Sequence, residues 1–215
     1  MTDFAAARLN MVENQVRCNG VTDLGVIAAM SEVARERFAP PANQGIAYMD
    51  ENLPLGNGRY LLQPRAFAKL CQEAELSAAD TVLDVGCATG YSSAVLARIA
   101  GSVVALEEDA ALAAAAASAL SGLANVTMVT GPLAEGAPKH GPYSVIFLNG
   151  SVPAKPEVLC GQLAEGGRLL AVVAGGPVGH AHVFVRAHGT VSGRVVFDAT
   201  AFPLPGFEVA KSFVF

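Results

Sequence analysis

The chain has 215 residues, 52% of them apolar and 15% charged, with a formal net charge of −5. This composition excludes a largely disordered chain, which needs low hydrophobicity and high charge. The acidic balance, with no basic run, excludes stable phosphate-led binding to nucleic acid. The length fits one domain with a small addition. The apolar stretch at the start is interrupted by Asp3, Arg8, Glu13 and Arg17, the layout of neither a signal peptide nor a membrane span. A cytoplasmic protein without a membrane partner is expected. Cys18, Cys71, Cys87 and Cys160 lie far apart and form no Cys-x-x-Cys pair, so buried free thiols and no metal are expected.

Residues 5–40 read as helical: Leu9, Val12 and Val16 recur at helix spacing, and Thr22 is the expected N-cap before Val26, Ile27, Ala29 and Met30. Pro40 and Pro41 should end that unit. The Gly-, Asn- and Pro-rich segment 42–64 reads as a long irregular connection, the expected lid over a ligand, and a helix follows over 65–76. From Thr81 onward, β-branched runs alternate with Ala-rich helical segments, the pattern of a parallel sheet covered by helices. Strands are expected at 81–85, 102–106, 125–129, 144–148 and 168–174, with helices near 91–100, 109–121 and 154–164 between them. An antiparallel pair at 182–186 and 194–198 and an edge strand near 207–214 complete the sheet. His180 and His182 share one face of an extended segment, which is read as a half-exposed strand pair and not a metal grip.

The strand TVLDVG runs into CATGY and then a helix, placing Gly86 and Gly90 around a tight turn at the carboxyl end of the first sheet strand. Open α/β sheets bind ligands there. Gly86 lets a ligand approach the backbone, and Gly90 admits the turn before a helix N-terminus. Asp84 lies two residues before Gly86, and Glu107 ends the next strand, 21 residues beyond Gly86. An acid at that place can accept both hydroxyls of an adenosine ribose.

With these residues in hand, the chain resembles the protein-L-isoaspartate O-methyltransferase family, and the match runs over most of its length. The segment MVENQVRCNGVTDLGVIAAMSEVARERFAP is similar to the family's opening. AYMDENLPLG, VLDVGCATGY, NVTMVTG, PYSVIFLNGSVP and QLAEGGRLLAVV follow in the family's order. The resemblance implies a class I methyltransferase: a Rossmann-like α/β fold with a mostly parallel seven-stranded sheet, helices on both faces and an N-terminal helical cap. It divides the chain into a cap and acceptor-site loop, 1–64, and a cofactor-binding domain, 65–215. It implies S-adenosyl-L-methionine as cofactor, S-adenosyl-L-homocysteine as product, and damaged proteins or peptides bearing isoaspartate as substrates. A monomer or weak homodimer is expected. The cofactor contacts implied are Asp84, Gly86, Cys87, Ala88, Gly90, Tyr91, Glu107 and the backbone of Leu133. Tyr91 is otherwise read as packing and Cys87 as a small packed residue. The acceptor carboxylate is ionised at neutral pH, so alignment and water exclusion do most of the catalysis.

The acceptor segment departs from the family pattern. Where the family reads Gly-x-Gly-Gln-Thr-Ile-Ser-x-Pro, this chain has GNGRYLLQP, so Tyr60 and Leu62 stand at the Thr and Ser positions. Arg59 and Tyr60 are the side chains left to position a carboxylate, Arg through bidentate pairing. The family's Gly-Asp near the adenine is Gly131-Pro132, and its Thr-Ala-Ala after the fourth sheet strand is Asn149-Gly150-Ser151. Three functions stay open at this point: isoaspartyl repair with a rebuilt acceptor pocket, methylation of another carboxylate, and a cofactor-binding module without catalysis.

Overall fold

The computed structural model describes residues 3–174 and 178–208. The Asp3 carboxylate accepts the Ala6 N–H at 3.0 Å and opens α1 (Phe4–Met11). The helix runs on through a π turn at Val12–Val16 and a 3-10 turn at Arg17–Asn19, and stops at Gly20 with φ +84°. Met11, Val12 and Val16 face the interior. The cap of α2 (Leu24–Glu32) is Asp23, not Thr22: its carboxylate accepts the Val26 N–H at 2.9 Å, while the Thr22 N–H donates to Gln72 Oε1 at 2.7 Å. Both residue types cap well, and position relative to the first turn decides between them. Pro41 begins a 3-10 turn at Pro41–Ile46, since a fixed φ and a missing N–H suit the first helical position.

The segment expected to be irregular holds a hairpin of β1 (Leu53–Gly56) and β2 (Arg59–Leu61). Its turn residues Asn57 and Gly58 both have positive φ, +50° and +70°. Asn-Gly at such a turn is a strong hairpin signal in any sequence. Pro64 starts α3 (Pro64–Glu73).

The sheet follows in alternation: β3 (Thr81–Val85), α4 (Tyr91–Leu96), β4 (Ser102–Glu107), α5 (Ala110–Leu120), β5 (Val126–Thr130), β6 (Tyr143–Val152), α6 (Glu157–Cys160), β7 (Leu163–Val173), β8 (His180–Ala187) and β9 (Thr190–Asp198). The spatial order is β5-β4-β3-β6-β7-β8-β9. The strands from β5 to β7 are parallel, and β8 and β9 are antiparallel additions. This is the expected Rossmann-like, mainly parallel seven-stranded sheet. The helix expected over 154–164 is a single turn, because Pro153 and Pro156 interrupt it in front and β7 claims the chain from Leu163. The edge strand expected near 207–214 falls mostly outside the described residues, and Phe207 and Glu208 are not in a strand.

One face of the sheet shares a core with the N-terminal helices, from Met11, Val16 and Met30 through Phe67 to Val82 and Phe147. The other face gathers Leu83, Leu106, Leu133, Ile146, Leu159 and Leu204. Arg35 is buried between the N-terminal helices and the hairpin. It donates to the carbonyls of Ala47 and Leu62, both at 2.8 Å, and its guanidinium lies 4.6 Å from the Tyr91 ring centroid. Those bonds hold the hairpin over the ends of the strands. No described helix is long and apolar enough to cross a membrane.

Candidate active site

The loop 86–90 leaves β3 in a conformation that few side chains accept: φ is +72° at Gly86, +52° at Ala88 and +96° at Gly90. It folds around the end of β4. The N–H groups of Gly86 and Cys87 donate to the Leu106 carbonyl at 2.9 and 3.1 Å, and the Ala88 N–H donates to Glu107 Oε2 at 2.7 Å. Glu107 is fully buried. Its Oε1 accepts the N–H groups of Glu108 (2.9 Å) and Asp109 (3.1 Å) and the Arg59 Nη1 at 2.5 Å. Arg59 comes from β2 and is itself buried; its Nη2 donates to the Gly86 carbonyl at 3.1 Å. A Cβ at Gly86 would stand 2.8 Å from that nitrogen and 2.9 Å from Leu204 Cδ2. The missing side chain at Gly86 therefore makes a cradle at the mouth of the sheet.

Asp84 does not face the cleft. Its Oδ2 accepts the hydroxyls of Ser92 (2.6 Å) and Ser93 (2.5 Å), and its Oδ1 accepts the Asn149 amide at 2.6 Å. Burial pushes its pKa up to about 6; the three hydrogen bonds oppose that shift and the nearby Glu107 charge adds to it. Asp84 thus acts through its neighbours, fixing α4 on one side and Asn149 on the other. Asn149 borders the cleft. The narrow space there is bounded by Tyr60, Leu62, Gly86, Tyr91, Ser92 and Asn149. A second narrow space, sharing Tyr60, Leu62 and Asn149 with the first, reaches Arg59, Phe202 and Leu204.

Tyr60 is half-buried and stacks on Phe202, ring centroids 3.6 Å apart and planes 7° apart. The segment carrying Phe202 lies along the end of β6: the Ser151 N–H donates to the Phe202 carbonyl at 2.8 Å, and the Leu204 N–H to the Ser151 carbonyl at 2.9 Å. Gly150 leaves room for Leu204, whose Cγ would be 2.7 Å from a Cβ there. Tyr91 is wholly buried against Phe38 and Phe67 and borders the cleft with part of its ring. Cys87 is a buried thiol whose pKa burial pushes well up, so it is no nucleophile. Cys71 and Cys160 are buried too, whereas Cys18 is exposed, contrary to expectation, because it lies in the 3-10 turn Arg17–Asn19, none of whose residues is buried; its thiol donates to the Asn14 carbonyl. The Leu133 N–H, expected to face a purine, donates to Glu108 Oε2 at 3.4 Å. His180 pairs with Asp198 at 2.8 Å and His182 stacks on Phe184; among the described residues no group of three or more His, Cys, Asp or Glu could hold a metal.

The structure therefore brings Arg59, Tyr60, Gly86, Cys87 and Tyr91 to the border of these two adjoining spaces, while Ala88 and Glu107 are buried and bonded to each other, Glu107 also to Arg59. It also adds residues that local pattern did not single out as site residues. Asn149 is there because β6 neighbours β3, Phe202 and Leu204 because a C-terminal segment crosses β6, and Glu108 because it follows the strand's last acid. Only the Asn149-Gly150-Ser151 departure gave any signal in advance.

The sequence model of the protein-L-isoaspartate(D-aspartate) O-methyltransferase family matches residues 7–204. The chain belongs to this family. Protein-L-isoaspartate O-methyltransferase 1 of Rhodopseudomonas palustris (strain HaA2) is 42% identical over 171 residues, covering 79% of this chain and 70% of the relative. The Koribacter versatilis (strain Ellin345) protein-L-isoaspartate O-methyltransferase is 35% identical over 208 residues, covering 96% and 94%. A solved protein-L-isoaspartate O-methyltransferase superposes with a TM-score of 0.79 at 26% identity, over 93% of this chain and 66% of that chain. The same fold appears in a Plasmodium falciparum beta-aspartate methyltransferase (PCMT) in complex with S-adenosyl-L-homocysteine, with a TM-score of 0.78 at 18% identity, over 94% of this chain and 99% of that one. The family's scaffold is thus retained.

Proposed function

We propose that this chain is an S-adenosyl-L-methionine-dependent methyltransferase acting on the free carboxylate of isoaspartyl residues in damaged proteins. The resulting ester closes spontaneously to a succinimide. Family membership supports the reaction, and one observation carries it to these residues: a fully buried carboxylate, Glu107, stands beside a glycine cradle where two parallel strands end, with an arginine and a tyrosine at its edge. Such an acid suits a ribose diol, and the cradle suits a close approach to the backbone. The residues present fit the cofactor. Gly86 and Ala88 would lie along it, Glu107 would accept the ribose hydroxyls, and Glu108 and the Leu133 backbone would meet the base. Asn149, Cys87, Gly90 and Tyr91 would shape the rest of the pocket, with Asp84 positioning them. When bound, S-adenosyl-L-methionine supplies an electrophilic methyl group on a sulfonium and leaves as the neutral thioether S-adenosyl-L-homocysteine.

The chain's own contribution is placement. The acceptor carboxylate is already ionised at neutral pH, so no general base is needed. Arg59 and Tyr60 would hold it by charge-assisted hydrogen bonds, and Phe202 and Leu204 would keep water out. We read the protein as cytoplasmic, a monomer or weak homodimer, with neither nucleic acid nor membrane as partner. The net charge of −5 and the four unpaired cysteines support that reading.

The test is transfer of labelled methyl from S-adenosyl-L-methionine to an isoaspartyl peptide, with the aspartyl peptide as control and base-labile ester as product. Labelling of the isoaspartyl peptide alone is expected. Labelling of neither peptide, by protein that binds S-adenosyl-L-homocysteine, would refute the proposed acceptor and leave the fold and cofactor in place.

A further inference from the structure

Glu107 offers a ribose diol less than its position suggests. A carboxylate has about four acceptor sites, and four donors already reach this one: three backbone N–H groups and the Arg59 guanidinium. Three of the four crowd Oε1. The backbone donors belong to the loop and to the β4–α5 junction and cannot leave without unmaking the fold. Arg59 is different. It is a side chain on a hairpin outside the main sheet, and its guanidinium packs directly on Gly86. With the three backbone donors kept, the acceptor site that this guanidinium holds is the one left for an incoming ribose hydroxyl, so the guanidinium has to go.

We propose that Arg59 is a displaceable occupant of the ribose position, and that its displacement couples the two binding events of the reaction. This rests on the nucleoside site proposed above. Ribose binding at Glu107 takes the carboxylate from Arg59 and leaves a buried guanidinium without that partner. An unpaired buried cation is strongly disfavoured. The acceptor carboxylate is the anion that restores a bidentate pair. Nucleoside binding thereby raises affinity for the acceptor, and by linkage the acceptor raises affinity for the nucleoside by the same factor. The order of events is built into one side chain: the acceptor's receptor is not free until the methyl donor has arrived.

Calorimetric titration with S-adenosyl-L-homocysteine tests this without any turnover. The apparent dissociation constant scales inversely with the fraction of molecules whose site is free. If Arg59 holds Glu107 in nine-tenths or more of them, Arg59→Met should bind S-adenosyl-L-homocysteine about tenfold tighter than wild type or better. Arg59→Lys, which cannot bridge Glu107 and the Gly86 carbonyl together, should fall between. Wild type should bind an isoaspartyl peptide more tightly with S-adenosyl-L-homocysteine present, and Arg59→Met should lose that gain. Wild-type binding with unchanged or weaker binding by Arg59→Met overturns the displacement and leaves the nucleoside site standing. No binding by wild type or variants overturns both. Should Arg59→Met fail to fold, Arg59→Lys decides alone: tighter binding supports displacement, and equal or weaker binding refutes it.

Discussion

Asp84 sits at the centre of the sheet as a buried carboxyl whose pKa is about 6, raised above its ordinary value of 3.8 by burial. Between about pH 4 and about pH 6 the folded chain keeps a proton there that the unfolded chain has lost. Stability therefore falls as pH rises through that window, by about 1.4 kcal/mol per pH unit and about 3 kcal/mol in all. Above about pH 6 the whole cost is present; below about pH 4 it vanishes. Asp84→Asn removes the titration while keeping the shape. It alters the bonds to Ser92, Ser93 and Asn149, but that cost is independent of pH and drops out of the comparison. Urea unfolding of both proteins from about pH 4 to about pH 8 gives the difference in stability at each pH. That difference should move in favour of the variant by about 3 kcal/mol between the ends, with its steep part between about pH 4 and pH 6. A difference that stays flat, or moves the other way, would show that the three hydrogen bonds outweigh burial and that Asp84 is ionised throughout.

Four further outcomes are expected. Gly86→Ala forces a Cβ to 2.8 Å from Arg59 Nη2 at φ +72°; it should cost about 1–3 kcal/mol in unfolding free energy and abolish S-adenosyl-L-homocysteine binding, and retained affinity in calorimetry would contradict the cradle. Tyr60→Phe keeps the stack on Phe202 but removes the phenol, so kcat/KM for an isoaspartyl peptide should drop roughly tenfold with little change in melting temperature; full activity would remove Tyr60 from acceptor placement. Arg168 donates to the Glu75 carbonyl at 2.8 Å and to both oxygens of Asp80 at 3.2 Å; Arg168→Met should cost about 3 kcal/mol, read from the urea midpoint, because Asp80 is left without its cation. Hydrogen exchange over 42–64 should slow when S-adenosyl-L-homocysteine is added, and equal protection in both conditions would argue against a lid.

Much of the sheet was legible because its signals are local. Thr81–Val85 and Ser102–Glu107 are short β-branched or apolar runs closed by a glycine turn or an acid, and their ends in the structure fall within a residue of where pattern puts them. The antiparallel hairpin of β8 and β9 was legible for the same reason. The segment 42–64 reads as irregular because its loop composition hides two short strands of four and three residues; the Asn57-Gly58 pair holds the information. The one-turn α6 shows the opposite failure, where helical composition loses to flanking prolines and a neighbouring strand.

At the site, the sequence by itself determined which groups stand at the ends of β3 and β4, because strand, turn and helix follow each other within a few residues and fix Gly86, Gly90 and Glu107 by short-range rules. It could not determine what those groups touch. That Asp84 is consumed by Ser92, Ser93 and Asn149, that Arg59 reaches Glu107 across 48 positions of chain, and that Leu204 fills the space beside Gly86 are matters of which surfaces meet. Those contacts depend on the order of strands in the sheet and on the hairpin being pinned by Arg35. A carboxylate's chemistry is set by its nearest donors and by its distance from water, and both are properties of the packed tertiary structure.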